Sequence, residues 1–198
     1  MGLSHPGVNC WEIGMKSTSS EPEKWDFIFY LYLFFIAAVF GWLWEGVLYF
    51  FKDDAYVNRG FLTGPWLPIY GAGAVMLEIL FHKWRDRTFL TFVSSMLICT
   101  VLEYLAGWYL ELTWKVKWWD YSQMNWNLQG RICFASSILF GVGGTFLVCV
   151  AAPLLHSLYR KIPVKLRIRT MLTVLVIFAA DAAYSALIPH IGRGIAYY

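Results

Sequence analysis

Five long apolar runs, almost free of charge, constrain the fold of this chain more than any other feature. They cover approximately residues 27–51, 65–81, 89–112, 132–158 and 171–191. A helix of about 20 apolar residues is long enough to cross the hydrocarbon core of a bilayer. The sequence therefore predicts an all-α, polytopic membrane protein, built as a bundle of about five transmembrane helices.

The overall composition supports one membrane domain and argues against a soluble protein. Apolar residues make up 59 % of the 198 residues and charged residues 15 %, whereas soluble domains are typically about 45–50 % apolar. We expect a single transmembrane domain over residues 27–198, embedded in the lipid bilayer and preceded by a polar cytoplasmic arm over residues 1–26. The net charge of +3 and the lack of a basic stripe interleaved with aromatics predict no nucleic-acid partner.

Sequence motifs for metal binding and catalysis are missing from the chain. Its four cysteines, Cys10, Cys99, Cys133 and Cys149, lack metal-ligand or redox spacing, so we expect no metal and no cofactor. There is no Walker-type phosphate loop, no His-Glu-x-x-His and no Gly-x-Ser-x-Gly pattern. The chain is therefore not itself an ATPase, and the sequence identifies no catalytic residues.

The distribution of basic residues predicts the orientation of the spans. With five spans, ten basic residues lie on one side, in the N-terminal arm and in the 2–3 and 4–5 connections. Six lie on the other side: Lys52, Arg59, Lys115, Lys117, Arg131 and Arg193. Because cytoplasmic loops are enriched in Lys and Arg, this bias predicts a cytoplasmic N-terminus and an external C-terminus.

Charged residues near the outer ends of the spans lie where helix dipoles disfavour them. Arg59 and Arg131 precede the N-termini of the second and fourth spans, and these helix ends repel cations. Glu45 and Glu111 lie near the C-terminal ends of the first and third spans, which repel anions. We expect either arginine to pair with either glutamate across helices, with Asp120 as a further partner. The alternative is that each side chain reaches water separately.

Three acidic residues, Glu78, Glu103 and Asp181, lie inside apolar runs. A carboxylate in a span is costly unless it is paired, hydrogen-bonded or near water, so each indicates either a functional site or a buried hydrogen bond. We expect none of them to face lipid. Asp181 is followed one turn later by Ser185, which offers a hydroxyl partner on the same helix face.

An aromatic and polar run over residues 114–122 separates the third and fourth spans. It contains Trp118, Trp119, Asp120, Tyr121 and Ser122. The aromatic side chains are typical of the belt that anchors helices at a membrane interface. The charged residues close by, Glu103 and Arg131, favour a site instead, and both interpretations remain open.

Small residues recur on one face of two spans. Ser137, Gly141 and Gly144 in the fourth span, and Gly71 and Ala74 with Glu78 in the second, follow the i, i+4, i+7 or i, i+3, i+7 spacing. Such stripes let helices approach closely and predict packing seams. The second span has Pro65 in its predicted first turn, with Gly64 or Thr63 as its cap.

Two groups of residues resemble the signatures of a known family. The first is Arg59-Gly60-Phe61-Leu62-Thr63-Gly64-Pro65 followed by Pro68-Ile69-Tyr70-Gly71. The second comprises Leu102-Glu103-Tyr104, Glu111, Trp118-Trp119-Asp120-Tyr121-Ser122, Asn127 and Gly130-Arg131-Ile132-Cys133. These motifs resemble the CmpB-like permeases of the bacterial ABC-transporter type IV family, from the first span to the end of the fourth. The resemblance implies a permease in the bacterial inner membrane, with a separate ATPase subunit on its cytoplasmic face.

The expected substrate-binding or charge network gathers at the outer ends of the spans. Its members are Glu45, Arg59, Tyr70, Glu103, Glu111, Trp119, Asp120, Tyr121, Asn127 and Arg131. Two outward-pointing helix N-termini favour negative charge there, so the expected ligand is a small anion or zwitterion.

Two other functions fit the same residues. The first is a membrane-embedded enzyme acting on a lipid or quinone-like substrate, with Glu103, Asp120 or His190 as its acid or base. The second is a structural or assembly subunit in which the polar network only holds the helices together.

The orientation can be tested by labelling a single cysteine. We expect Gln123→Cys, in a variant without the four native cysteines, to react with an impermeant thiol reagent from outside intact cells. The reason is that Gln123 lies in the connection predicted to face outward. Labelling that requires opening the membrane would reverse the assignment.

Overall fold

The structure is a computed structural model that describes residues 26–53, 62–188 and 196–197. Apart from Asp26, the predicted N-terminal arm lies outside these residues, as do Arg59 and His190. The described helices are α1 (Phe27–Asp53), α2 (Pro68–Phe81), α3 (Thr88–Trp114), α4 (Phe134–Phe146), α5 (Ala152–Lys161) and α6 (Val164–Leu187). A 3₁₀ turn (His82–Trp84) follows α2, and a π-helical turn (Leu147–Ala151) joins α4 to α5.

Within the described residues, four helical stretches are long and apolar enough to cross a membrane. They are Phe27–Leu48, Thr88–Thr113, Phe134–Lys161 and Val164–Leu187, and the third of them consists of α4, the π-helical turn and α5. The few strands are two residues long: β1 (Val116–Lys117), β2 (Asn127–Leu128), β3 (Ile132–Cys133) and β4 (Ala196–Tyr197). The prediction of an all-α, polytopic membrane protein is confirmed.

The second predicted span differs from expectation. Helix α2 begins at Pro68 rather than Pro65, and its 14 residues extend only about 21 Å. Its N-cap residue is Leu67, in an extended conformation, so the predicted cap at Gly64 or Thr63 is wrong. The reason is the pair of prolines, because a residue that precedes proline is disfavoured in helical conformation.

The helices pack as antiparallel neighbours along the chain. Gly71 of α2 lies against Phe34 of α1. Two turns later in α1, Gly41 lies against the ring of Tyr70. Contacts between α3 and α4 and between α1 and α2 are the most extensive in the described bundle. The buried core joins Leu33, Ala74 and Ala152, and beside them Leu77, Phe81 and Val148.

The predicted seam of the fourth span packs against α3. The Thr100 hydroxyl donates a hydrogen bond of 2.8 Å to Ser137 Oγ, and one turn further Gly141 lies under the Phe92 ring. A Cβ on Gly144 would lie 2.5 Å from the Cβ of Ser95, which is closer than carbon atoms can approach. The glycines therefore allow a contact between helix backbones that larger residues would prevent.

One end of the bundle, which we call the basic end, holds the α2–α3 and α5–α6 connections. There the Tyr159 hydroxyl of α5 donates to Asp26, which caps α1 by accepting a 3.0 Å bond from the Ile28 amide. The Arg167 guanidinium of α6 lies 3.9 Å from Asp26 and donates to the carbonyl of Ile162. These contacts tie three helices together.

A second polar contact at the basic end involves a carboxylate buried within α2. Glu78 is 3 % exposed, and Arg85 forms a salt bridge with it. Arg85 also donates a 3.1 Å hydrogen bond to the Val148 carbonyl in the π-helical turn. The expectation that Glu78 does not face lipid is confirmed.

Matched glycine substitutions test the seam. We expect Gly144→Ala to lower the apparent Tm in detergent, because overpacking costs about 1–3 kcal/mol, and each kcal/mol shifts Tm by about 2–4 °C. Gly143→Ala is the control, because a Cβ at Gly143 meets nothing within 4 Å. Equal Tm values for the two variants would contradict the seam.

Candidate functional site

One face of α3 is covered by the connection between α3 and α4. Glu103, Gly107 and Glu111 are four residues apart and therefore line the same side of the helix. The connection folds back so that Tyr121 meets Glu103, Trp119 meets Gly107 and Arg131 meets Glu111. The spacing of four residues along α3 thus gives three successive contacts, which hold Tyr121, Trp119 and Arg131 of the connection against the helix.

Glu103 is held from two directions. The Tyr121 hydroxyl donates a 2.9 Å hydrogen bond to Oε1, and Ser136 Oγ lies 3.3 Å from Oε2. Ser136 is in the first turn of α4, where it and Cys133 cap the helix reciprocally. The carboxylate therefore links α3, the connection and the start of α4.

Glu45 occupies a comparable position near the end of α1. It accepts a 2.7 Å hydrogen bond from the hydroxyl of Tyr70, which lies in the first turn of α2. Gly41, one turn before Glu45, makes room for the Tyr70 ring, because a Cβ there would overlap the ring. Glu45 is also close enough to Glu103 to interact with it electrostatically.

These hydrogen bonds make two neighbouring sets, and electrostatic interactions of Glu103 with Glu45 and Tyr70 link the two sets into one group. We call it the acid–tyrosine cluster, and it contains Glu45, Tyr70, Glu103, Tyr121 and Ser136. Its members come from α1 to α4 and from the α3–α4 connection. Two carboxylates facing two phenol hydroxyls can accept hydrogen bonds, bind a cationic group or exchange a proton.

The ion pair expected between Arg131 and Glu111 is present. Arg131 Nη2 lies 2.7 Å from Glu111 Oε2, and the two side chains are 15 % and 31 % exposed. Arg131 also donates to Gln129 Oε1, which accepts a second, 2.8 Å bond from the Tyr104 hydroxyl. The pair crosses between α3 and the residues just before α4, and it is only partly open to solvent.

Trp119 positions the same arginine from the other side. Its indole N–H donates a 2.8 Å hydrogen bond to the Arg131 carbonyl. A Cβ on Gly107 would lie 3.3 Å from the Trp119 ring, so the glycine lets the ring pack closely on α3. Trp119 therefore anchors the connection on the helix, in addition to any role at the membrane interface.

Asp120 and Asn127 make their hydrogen bonds within the connection rather than with the acid–tyrosine cluster. Asp120 accepts hydrogen bonds from the hydroxyl and the amide of Ser122, and these bonds lower the pKa of its carboxyl. The Asn127 side chain donates to the Met124 carbonyl and accepts from the Gly130 amide. The structure thus places Asp120 against Ser122 rather than against Arg131.

Glycine is required at one position of this connection. Strands β2 and β3 pair as a short antiparallel hairpin. Gly130, in the turn of this hairpin, has φ +68°, a backbone conformation in which a side chain would be strained. A Cβ at Gly130 would also lie 2.6 Å from Asp120 Oδ1. The turn and the Asp120 bonds therefore depend on each other.

Three residues of the site are not predicted from the sequence: Gly41, Gln129 and Ser136. A signal existed for Gly41, since it lies one turn before Glu45. Ser136 carries no sequence signal, because Cys133-x-x-Ser136 departs from the Ser/Thr-x-x-Glu/Gln pattern of a capping box. Gln129 carries no local signal, because its role depends on the hairpin. The predicted site residue Arg59 lies outside the described residues.

Two open grooves of the described chain lie away from the acid–tyrosine cluster. One, of about 430 Å³, lies between α1 and α2 and is lined by apolar residues from Phe27 to Phe34 and from Ala72 to Leu80. The other, of about 550 Å³, lies between α3 and α4 near Phe92 and Phe146. The described residues contain no group of three or more His, Cys, Asp or Glu side chains able to hold a metal ion.

Neutralising one partner tests the Arg131–Glu111 pair. We expect Glu111→Gln to lower the free energy of unfolding in mixed micelles by about 1–3 kcal/mol, between the values for exposed and buried pairs. Lys115→Gln is the control, because this exposed charge follows the end of α3. A loss no larger than that of the control would show that the pair contributes little.

Comparison with known proteins adds one match. A search of the curated proteins finds no match, and a search of the solved structures finds none either. The model of one family matches residues 32–186, from α1 to α6, and this is most of the chain. The protein therefore belongs to the family of membrane proteins described as "Putative ABC-transporter type IV".

Proposed function

We propose that this protein is the permease or substrate-binding membrane subunit of an ABC transporter, with the acid–tyrosine cluster as its outward-facing polar site. The observation that carries the proposal is the pair of carboxylates Glu45 and Glu103, each of which accepts a hydrogen bond from a tyrosine of another segment and interacts electrostatically with the other. Family membership supports the transport role. Ionisable groups inside membrane bundles mark substrate or ion pathways in many transporters.

The charges at the two ends of the bundle support an orientation. The basic end exposes six cationic side chains: Lys83, Arg87, Arg160, Lys161, Lys165 and Arg169. Such a bias supports a cytoplasmic location for the basic end in a bacterial cell, with the acid–tyrosine cluster near the outer face. The N-terminus would then be cytoplasmic and the C-terminus external.

The same six side chains form the proposed docking surface for a separate ATPase subunit. The chain has no phosphate-binding loop of its own, so transport would require such a partner. Charge complementarity would favour an acidic contact surface on the ATPase.

The chemistry of the cluster narrows the expected ligand. Two carboxylates favour a ligand with a positively charged group, and Arg131 already donates to Glu111 and Gln129. A zwitterion whose amino group meets the carboxylates therefore fits better than a simple anion.

A structural or assembly role is the second candidate. It is favoured because Glu103 and Arg131 are both hydrogen-bonded by other residues of the chain. In that case the polar groups would hold the helices together without binding a substrate. Association with an ATPase distinguishes the two functions.

Purification from native membranes in mild detergent tests the transporter role. We expect ATP hydrolysis activity to co-purify with the protein. In the double variant Arg87→Glu, Lys161→Glu, this co-purifying activity should fall at least about 10-fold, because the reversed charges repel an acidic partner. Lys115→Glu, at the opposite end, should keep it. Purified protein without ATP hydrolysis would favour the structural role.

A further inference from the structure

The chain between α1 and α2 includes a stretch without helical structure at membrane depth. This segment, Leu62–Leu67, leads into α2, and its terminal leucines are 6 % and 8 % exposed. The Leu67 amide donates a 3.1 Å hydrogen bond to the carbonyl of Ala38, close to the midpoint of the apolar stretch Phe27–Leu48. Helix α2 therefore starts well inside the span of α1.

An irregular backbone at this depth needs hydrogen-bond partners from the protein. Lipid chains offer none, so such segments persist only where they are buried in protein or line a water-filled cavity. Over residues 63–68, Pro65 and Pro68 have no amide hydrogen, which leaves the amides of Thr63, Gly64, Trp66 and Leu67 to be satisfied. Trp66 donates to the Gly64 carbonyl at 2.8 Å, and Leu67 to Ala38.

Helix α6 supplies the remaining two partners. Both carboxylate oxygens of Asp181 lie 3.1 Å from the Gly64 amide nitrogen, which donates to them. The Thr63 amide donates to Ser185 Oγ at 3.0 Å, and Ser185 is fully buried. Asp181 and Ser185 are one turn apart, so a single face of α6 binds two successive amides of the segment.

Aromatic packing fixes the segment between α1 and α6. The Trp66 ring meets Phe35 of α1 edge-on, with ring centroids 5.8 Å apart, and Phe178 of α6 at 6.0 Å. Gly64 is suited to this position, because even a Cβ there would lie 3.1 Å from Asp181 Oδ2. The segment therefore has little freedom to shift while the Asp181 bond is intact.

We propose that Asp181 is a positioning residue: by binding the Gly64 amide, it fixes the position of the N-terminus of α2 along α1 and thereby places the Tyr70 hydroxyl on Glu45. The chain from Gly64 to Tyr70 is short, and the Tyr70 amide is bound to the Leu67 carbonyl of the segment by a 3.0 Å hydrogen bond. The Tyr70 ring sits against Gly41, so a shift of α2 along α1 would move the hydroxyl away from Glu45. This role goes beyond the proposed transport function and does not depend on the ligand.

A double-mutant cycle in apparent Tm tests the coupling. The variants are Asp181→Asn, Tyr70→Phe and their combination, in purified full-length protein in detergent. We expect Asp181→Asn to lower Tm by about 2–4 °C, because it weakens one hydrogen bond. The double variant should lose less than the sum of the single losses, because a misplaced Tyr70 no longer contributes its own bond.

A second cycle provides the control. It pairs Asp181→Asn with Thr100→Val, which removes the hydroxyl bond to Ser137 between α3 and α4. We expect this cycle to be additive, since the two sites share no partner. Additivity in both cycles would overturn the positioning role, because a purely structural Asp181 would destabilise the protein without coupling to Tyr70.

Ser185→Ala keeps the test decisive if Asp181→Asn does not yield folded protein. It removes the neighbouring bond to Thr63 and leaves the carboxylate in place. We expect it to couple with Tyr70→Phe in the same direction, because Thr63 and Gly64 are adjacent in the segment. An additive result for Ser185→Ala, or an unchanged Tm for Asp181→Asn, would overturn the inference.

Discussion

Carboxylates in an apolar bundle must find hydrogen-bond donors, and this requirement decides how the helices of the protein come together. Glu78 is paired with Arg85, Glu103 with Tyr121, Glu45 with Tyr70 and Asp181 with the Gly64 amide. Each donor comes from a different element from its acceptor. Desolvation makes an unpaired charge costly, so each acid in effect specifies which segment lies beside its helix.

Much of the architecture could be predicted from the sequence, since span length and composition depend only on the bilayer. The Arg131–Glu111 pair was also predictable, because each residue opposes the dipole of its own helix. In contrast, the start of α2 was misplaced by three residues. Pro65 is predicted to lie in the first turn of the helix, whereas Pro68 disfavours a helical conformation at the residue before it, and that residue, Leu67, is extended.

The contacts of the α3–α4 connection were harder to predict. Asp120 was expected to pair with an arginine, whereas its oxygen accepts from Ser122 two residues away. Short-range hydrogen bonds of this kind compete with long-range pairing, and sequence spacing does not reveal which one forms. The role of Trp119 depends on Gly107, twelve residues earlier in the chain, and only the folded connection brings them together.

The π-helical turn between α4 and α5 has a consequence for the direction of the side chains beyond it. A π turn contains one residue more than an α turn, and one residue corresponds to a rotation of about 100° around the helix axis. Leu147–Ala151 thus shifts the angular register of α5 relative to α4. If the helix were α-helical throughout and Ser136 kept its present direction toward Glu103, the Tyr159 side chain would be rotated about a quarter turn away from Asp26. Because of this single inserted residue, the continuous helix from α4 to α5 can donate a hydrogen bond to Glu103 from Ser136 at one end and to Asp26 from Tyr159 at the other, although the two acids lie on different sides of the helix.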